Sequence, residues 1–195
     1  MRVRALVLVV ALGLAGGLSG CGIDDLRSER RHGGPMRMTM VSSEATYLAE
    51  MIPHHEEAVR AAEELARSPR ATMREFGEDI VRTQTAQIVQ MREWLRQWYP
   101  DQAEDTTYRP MMRDLTRLEG DALDRTFLQD MVGHHMMAVM MSQHLLRDGT
   151  THPEVEDLAQ EISDEQRREI RQMSRWLAAW FGLRTSGMHG GMQPQ

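Results

Sequence analysis

The chain has 195 residues, 29 of them acidic against 23 basic, for a formal net charge of −6 at pH 7. That balance argues against nucleic acid as a partner and mildly favours cations. A single cysteine, Cys21, excludes an internal disulfide framework, so stability must come from a packed core or from metal, and 17 methionines, a residue normally scarce, require a reason.

The N-terminus reads as an export signal. Arg2 and Arg4 precede an apolar run from Ala5 to Leu18, too short to span a bilayer comfortably and suited to a signal-peptide core. It ends in Leu18-Ser19-Gly20-Cys21, which resembles the lipobox of bacterial lipoproteins. The resemblance implies cleavage before Cys21 and lipidation of its thiol, and so an exported protein anchored to a bacterial membrane, facing the periplasm or the cell exterior. Residues 1–20 are then the signal peptide. Residues 21–42 carry Arg, Ser, Gly and Pro with little apolar periodicity and are expected to form a flexible tether.

The folded part is expected from about residue 43, with Ser42 or Ser43 as N-cap. Tyr47, Leu48, Met51, Ile52, Ala58, Val59, Ala62 and Leu65 recur at spacings of three and four, which predicts an amphipathic first helix. Ser68-Pro69 breaks it, and a second helix is expected from about Pro69 to Trp98, ended by Pro100-Asp101. Residues 101–120 form a connection with one short helix expected around Met111 to Leu118. A third helix is expected from about Asp121 to Arg147, a turn at Asp148-Gly149, and a fourth from about Pro153 to Phe181. No strand candidate competes. The expected fold is all-α, a four-helix bundle over residues 43–182, followed by a flexible Met/His tail at 183–195.

The two halves are copies. YLAEMIPHHEEAV at 47–59 lines up with FLQDMVGHHMMAV at 127–139, and QTAQIVQMREWLRQWY at 84–99 with QRREIRQMSRWLAAWF at 166–181. The offset is eighty in the first block and eighty-two in the second, so each repeat, 43–100 and 121–182, is a helix, a turn and a helix. Such a unit cannot bury its own apolar face and is expected to stack on its copy.

The Met-Ile-Pro-His-His-x-x-Ala block, followed by Ile-x-x-Met-x-x-Trp-Leu, resembles the CopM-like family of bacterial domains of unknown function. That resemblance covers roughly residues 43–182. It implies a ferritin-like fold, an exported protein and copper binding through Met and His, without a settled activity. Carried over residue by residue, it points to Met51, His54, His55 and Met91 in the first half and to Met131, His134, His135 and Met173 in the second. Members commonly carry Met six residues after the second His. The second half keeps it as Met141, whereas the first has Ala61.

Helix geometry adds a reading of its own. Adjacent residues sit about 100° apart on a helix, so His55 and His135 are expected inward with Met51 and Met131, and His54 and His134 on a flanking face. In the second half that face continues as Met137, Met141 and His144, where the first half has Glu57, Ala61 and Glu64. A face that accepts Glu is expected to be wet, so the second half is the better copper site. Thioether favours Cu(I), and imidazole serves Cu(I) or Cu(II). Glu50 and Asp130, four residues before the first His of each pair, are spaced to ligate or to orient a ligand. Met36, Met38 and Met40 in the tether, and Met188, His189 and Met192 in the tail, offer further soft ligands where no core demands them. His152, beside Pro153, reads as a surface residue.

These features point to a lipid-anchored copper-binding protein for sequestration or homeostasis, more a carrier than an enzyme, with copper ions and a membrane or metal-transfer protein as partners. Two other readings stay open. One is a membrane-tethered interaction bundle without metal, its His pairs structural or pH-sensing. The other, weaker, is a di-iron ferritin-like oxidase, which needs Glu-x-x-His motifs that this chain lacks.

Overall fold

The computed structural model describes residues 43–105 and 107–183. Ser43 is the N-cap of α1 (Glu44–Glu63), its hydroxyl accepting from the Thr46 N–H at 3.1 Å. One 3-10 turn, Glu64–Arg67, follows, then α2 (Ala71–Trp98), α3 (Gly120–Asp148) and α4 (Pro153–Phe181). Gly149 ends α3 with φ of 90°, and Gly182 ends α4 with φ of 65°, positions where a Cβ would be strained. All four predicted helices form, with ends within about two residues of those read from the sequence.

α1 pairs with α2, α3 pairs with α4, and α1 lies against α3. The α1/α3 pair is antiparallel, since Tyr47 Oη meets Ser142 Oγ at 2.9 Å while His54 meets His134 further along. At one end of the bundle Tyr47, Leu48, Met51, Ile88, Met91 and Ile162 form an apolar cluster. At the other end Leu65, Met73, Phe127, Met131, Met173 and Leu177 form a second. Each fully buried Met in these clusters contributes roughly 1.5–3 kcal/mol through burial. Gly77 lets α2 approach α1 closely, because a Cβ there would lie 2.7 Å from the Ala62 carbonyl oxygen.

The repeat is visible in the contacts. The Glu44 carboxylate takes the Thr151 and His152 N–H groups and the His152 imidazole, which stacks on Trp98 with ring centroids 3.8 Å apart. At the equivalent positions Asp124 pairs with Arg70 at 2.7 Å, and Arg70 lies over Trp180. His152 is therefore not the surface residue expected but a tie between α1 and the start of α4.

The connection departs from expectation. Residues 111–118 form one bend and one turn, with no helix. Carboxylates take the N–H groups that a helix would turn toward its own carbonyls: Glu57 takes those of Met111 and Met112, Asp130 that of Arg113, and Asp114 that of Thr116. Pro53 supplies the other anchor. Proline has no N–H to give the carbonyl four residues back, and that carbonyl, on Ala49, accepts instead from the Asp105 N–H at 3.1 Å. The connecting segment thus runs along α1 from Ala49 to Glu57. The equivalent position in α3 is Gly133, which has no such effect.

Candidate metal centre

Between the two apolar clusters lies a polar layer built from the duplicated His pairs. His54, His55, His134 and His135 are all buried, none more than 1% exposed. The flanking position expected for His54 and His134 is corrected by packing. Each of α1 and α3 has two neighbours, so residues 100° apart face one neighbour each. His55 points to α2, where its Nε2 meets Gln87 Oε1 at 3.0 Å, and His54 points to α3, where its ring lies 3.7 Å from that of His134. His135 in turn points to α4, its Nε2 meeting Glu169 Oε2 at 2.5 Å.

The face expected to be wet in the first half is also buried. Glu57 is 5% exposed because Tyr108, Met111 and Met112 close over it, the Tyr108 hydroxyl donating to its carboxylate. His134 Nε2 lies 3.3 Å from Glu57 Oε2. Burial alone would raise the Glu57 pKa, but hydrogen bonds from His134, Tyr108 and the two backbone amides outweigh it and hold the carboxylate down at about 2. The imidazoles are pushed the other way. Burial, followed by neighbouring imidazoles, places His54 well below the ordinary histidine value, and burial brings His55 to about 3. Burial also lowers His134, against the pull of Glu57. Neutral imidazoles at neutral pH keep a lone pair for a metal.

The layer leaves donors without partners. Both ring nitrogens of His54 and the Nδ1 atoms of His55, His134 and His135 have no hydrogen-bond partner. His55 and His135 direct Nε2–H at Gln87 and Glu169, and the neutral His55 ring keeps its Nδ1 lone pair free. Met51 and Met131, one turn before His55 and His135, and Met91 and Met173, one turn beyond Gln87 and Glu169, are all fully buried. By helical rise they flank the layer at about 6 Å, one pair on each side. Among the described residues no group of three or more His, Cys, Asp and Glu is arranged to hold a metal. The donor set the layer offers is imidazole with thioether.

Asp130 and Glu50 do not orient the histidines. Asp130 holds the guanidinium and N–H of Arg113, and Glu50, its pKa raised by burial and by Asp105, faces the connecting segment. A carboxylate four residues back lies on the same helix, whereas a buried imidazole is reached from the neighbouring one. The partners missed in the sequence are Gln87 and Glu169; Gln84 and Gln166, one turn before them, are buried as well. A signal for them existed. Gln84 and Gln166 are identical between the repeats, and Gln87 and Glu169 occupy matching positions on an otherwise apolar stripe.

On α3, Met137, Met141 and His144 are partly buried, and the His144 Nδ1 lies 3.0 Å from Asp148 Oδ2. Cys21, Met36, Met38, Met40, Met188, His189 and Met192 lie outside the described residues, as do the expected signal peptide, the expected tether and all but residue 183 of the expected tail.

The chain matches the family described as Domain of unknown function (DUF305) over residues 44–177 and again over 124–194. The two matches start eighty residues apart, the offset of the repeat. Among solved structures, CopM in the Cu(I)-bound form is 30% identical with a TM-score of 0.64, covering 72% of this chain and 99% of that one. CopM is also solved bound to Ag and to Cu(II). A DUF305 protein from Streptomyces coelicolor is 27% identical (TM-score 0.63), covering 75% of this chain and 98% of the other. A DUF305 fragment from Deinococcus radiodurans is 33% identical (TM-score 0.61), covering 69% and 95%. None of the curated proteins matches.

Proposed function

We propose that this chain, which belongs to the DUF305 family, is an exported copper-binding protein that sequesters copper or hands it on, with no covalent chemistry of its own. The observation that carries this reading is the buried layer of His54, His55, His134 and His135, whose unpartnered ring nitrogens lie between fully buried methionines. A buried polar atom without a partner costs about 1–3 kcal/mol. Five such nitrogens in one layer are a poor choice for packing and a good one for a metal.

The chemistry favours a monovalent soft ion there. Neutral imidazole and thioether suit Cu(I), and a single charge is cheaper to bury than two. Glu169 and Glu57 beside His135 and His134 supply negative charge at the rim of the layer. The metal bound to CopM in its solved structures supports the assignment. The purified domain, loaded with Ag(I) or with Cu(I) under reductant and dialysed, is expected to retain metal and to melt higher. Free ion at about a hundred times Kd stabilises by roughly 2.7 kcal/mol. Complete loss of metal on dialysis, with an unchanged melting temperature, overturns the reading.

Its place is proposed as the outer side of a bacterial membrane, held through lipid on Cys21. No described helix is long and apolar enough to cross a membrane, and the Leu18-Ser19-Gly20-Cys21 sequence supports the anchor. Cys21→Ser is expected to move the protein from the membrane fraction to the soluble one. Retention of that variant in the membrane fraction argues against lipidation.

A further inference from the structure

The outer face of α3 differs from that of α1 in a way the shared fold does not require. Met136 and Met140 are 43% and 45% exposed, two of the three large hydrophobic side chains exposed among the described residues. They stand one turn apart, and the equivalent residues of α1 are Glu56 and Arg60, which form an ordinary i,i+4 ion pair at 3.9 Å. Next to them Met137 and Met141 replace Glu57 and Ala61, and His144 replaces Glu64. The repeat therefore contains its own control. One copy carries charged or small residues along this stripe, and the other carries four thioethers and an imidazole.

Packing does not account for Met140. A side chain nearly half exposed gains little from burial, and helix propensity alone does not separate Met from Arg or Glu. Nor is this face covered as its counterpart is. Pro53 and Glu57 draw the connecting segment along α1, whereas α3 has Gly133 and Met137 at those positions.

We propose that this face is a second, solvent-facing site for a monovalent soft ion, Cu(I) or Ag(I), with Met140, Met141 and His144 as ligands. Residues 140 and 144 are four apart and 141 and 144 three apart, spacings that bring side chains together on one helix face. Two thioethers and an imidazole are a soft donor set that excludes hard cations by chemistry. The His144 side chain is 17% exposed, and the Asp148 carboxylate 3.0 Å from its Nδ1 adds negative charge. Met137 then stands between this site and His134 of the buried layer, at spacings of four and three. Ions captured from solvent thus have a run of donors leading inward. The inference rests on soft metal being the cargo, but not on the buried layer being occupied.

The test is an Ag(I) titration of the full mature chain with methionine methyl groups labelled with carbon-13, followed by NMR alongside measured stoichiometry. Expected are shifts of the Met140 and Met141 methyls, and loss of one bound equivalent in M140L/H144Q while the Met51 and Met91 methyls respond as before. Because Met140 is exposed and His144 lies at the rim, the variant is expected to fold, which its methyl spectrum reports directly. Full stoichiometry in M140L/H144Q, or Met140 and Met141 methyls that stay still while the buried ones shift, overturns the surface site and leaves the buried one standing. A protein in which no methyl moves overturns both.

Discussion

Replacing His54 by leucine is expected to raise the melting temperature of the metal-free protein while removing most of its stabilisation by Ag(I). His54 is 1% exposed and neither ring nitrogen has a hydrogen-bond partner. Leucine is similar in size and asks for no partner, so the substitution removes a desolvation cost of about 1–3 kcal/mol. For a domain of this size each kcal/mol moves the melting temperature by roughly 2–4 °C. The same change deletes the imidazole lying 3.7 Å from that of His134, and the affinity for Ag(I) is expected to fall about a hundredfold, equivalent to roughly 2.7 kcal/mol. Calorimetric scans with and without Ag(I) read both effects. A variant that melts lower and is still stabilised by the ion assigns His54 to packing alone.

That outcome bears on how the two halves differ. From the sequence, His134 looked like the stronger ligand and His54 the weaker, because their flanking faces diverge. In the structure the two rings lie 3.7 Å apart in one layer, so replacing either is expected to weaken binding alike. The difference between the copies lies outside that layer, on the α3 surface.

The repeat made the fold legible. Two matched blocks with different offsets gave four helices and the turn between the blocks, and the apolar spacing set their faces. What period alone could not give was how many neighbours each helix has. A helix with one neighbour buries one of two adjacent histidines, and a helix with two buries both. The partners of the layer were hidden for a related reason. Gln87 and Glu169 come from other helices, and spacing along one chain segment, which suggested Glu50 and Asp130, does not report contacts across a bundle. The connecting segment was misread because Glu57 and Pro53 act on it from fifty residues away. Met-rich stretches such as 136–141 were visible at once, but only exposure separates Met140, open to solvent, from Met131, fully buried.

Glu57 is the residue whose loss is expected to cost the protein most stability. Its carboxylate receives the Tyr108 hydroxyl, the amides of Met111 and Met112, and the His134 ring at 3.3 Å. Glu57→Ala leaves those buried donors without an acceptor and releases the segment over His54, at a cost of about 3–5 kcal/mol. Chemical unfolding in urea measures it as a lower midpoint. The pH dependence identifies the cause. The Glu57 pKa is lower in the folded protein, at about 2, than its ordinary value of 4.5, so its contribution is present above the ordinary value and is lost as pH falls toward 2. The lowered histidines act in the same direction but earlier, since the unfolded chain takes up their protons below about 6.5 while folded His55 resists until about 3. The wild-type protein is therefore expected to lose stability in two overlapping stages, from about pH 6.5 downward and more steeply below about 4.5. Glu57→Gln, which keeps the shape and removes the charge, is expected to retain the first stage and flatten the second. A Glu57→Gln profile parallel to wild type below pH 4.5 refutes the role given to this carboxylate.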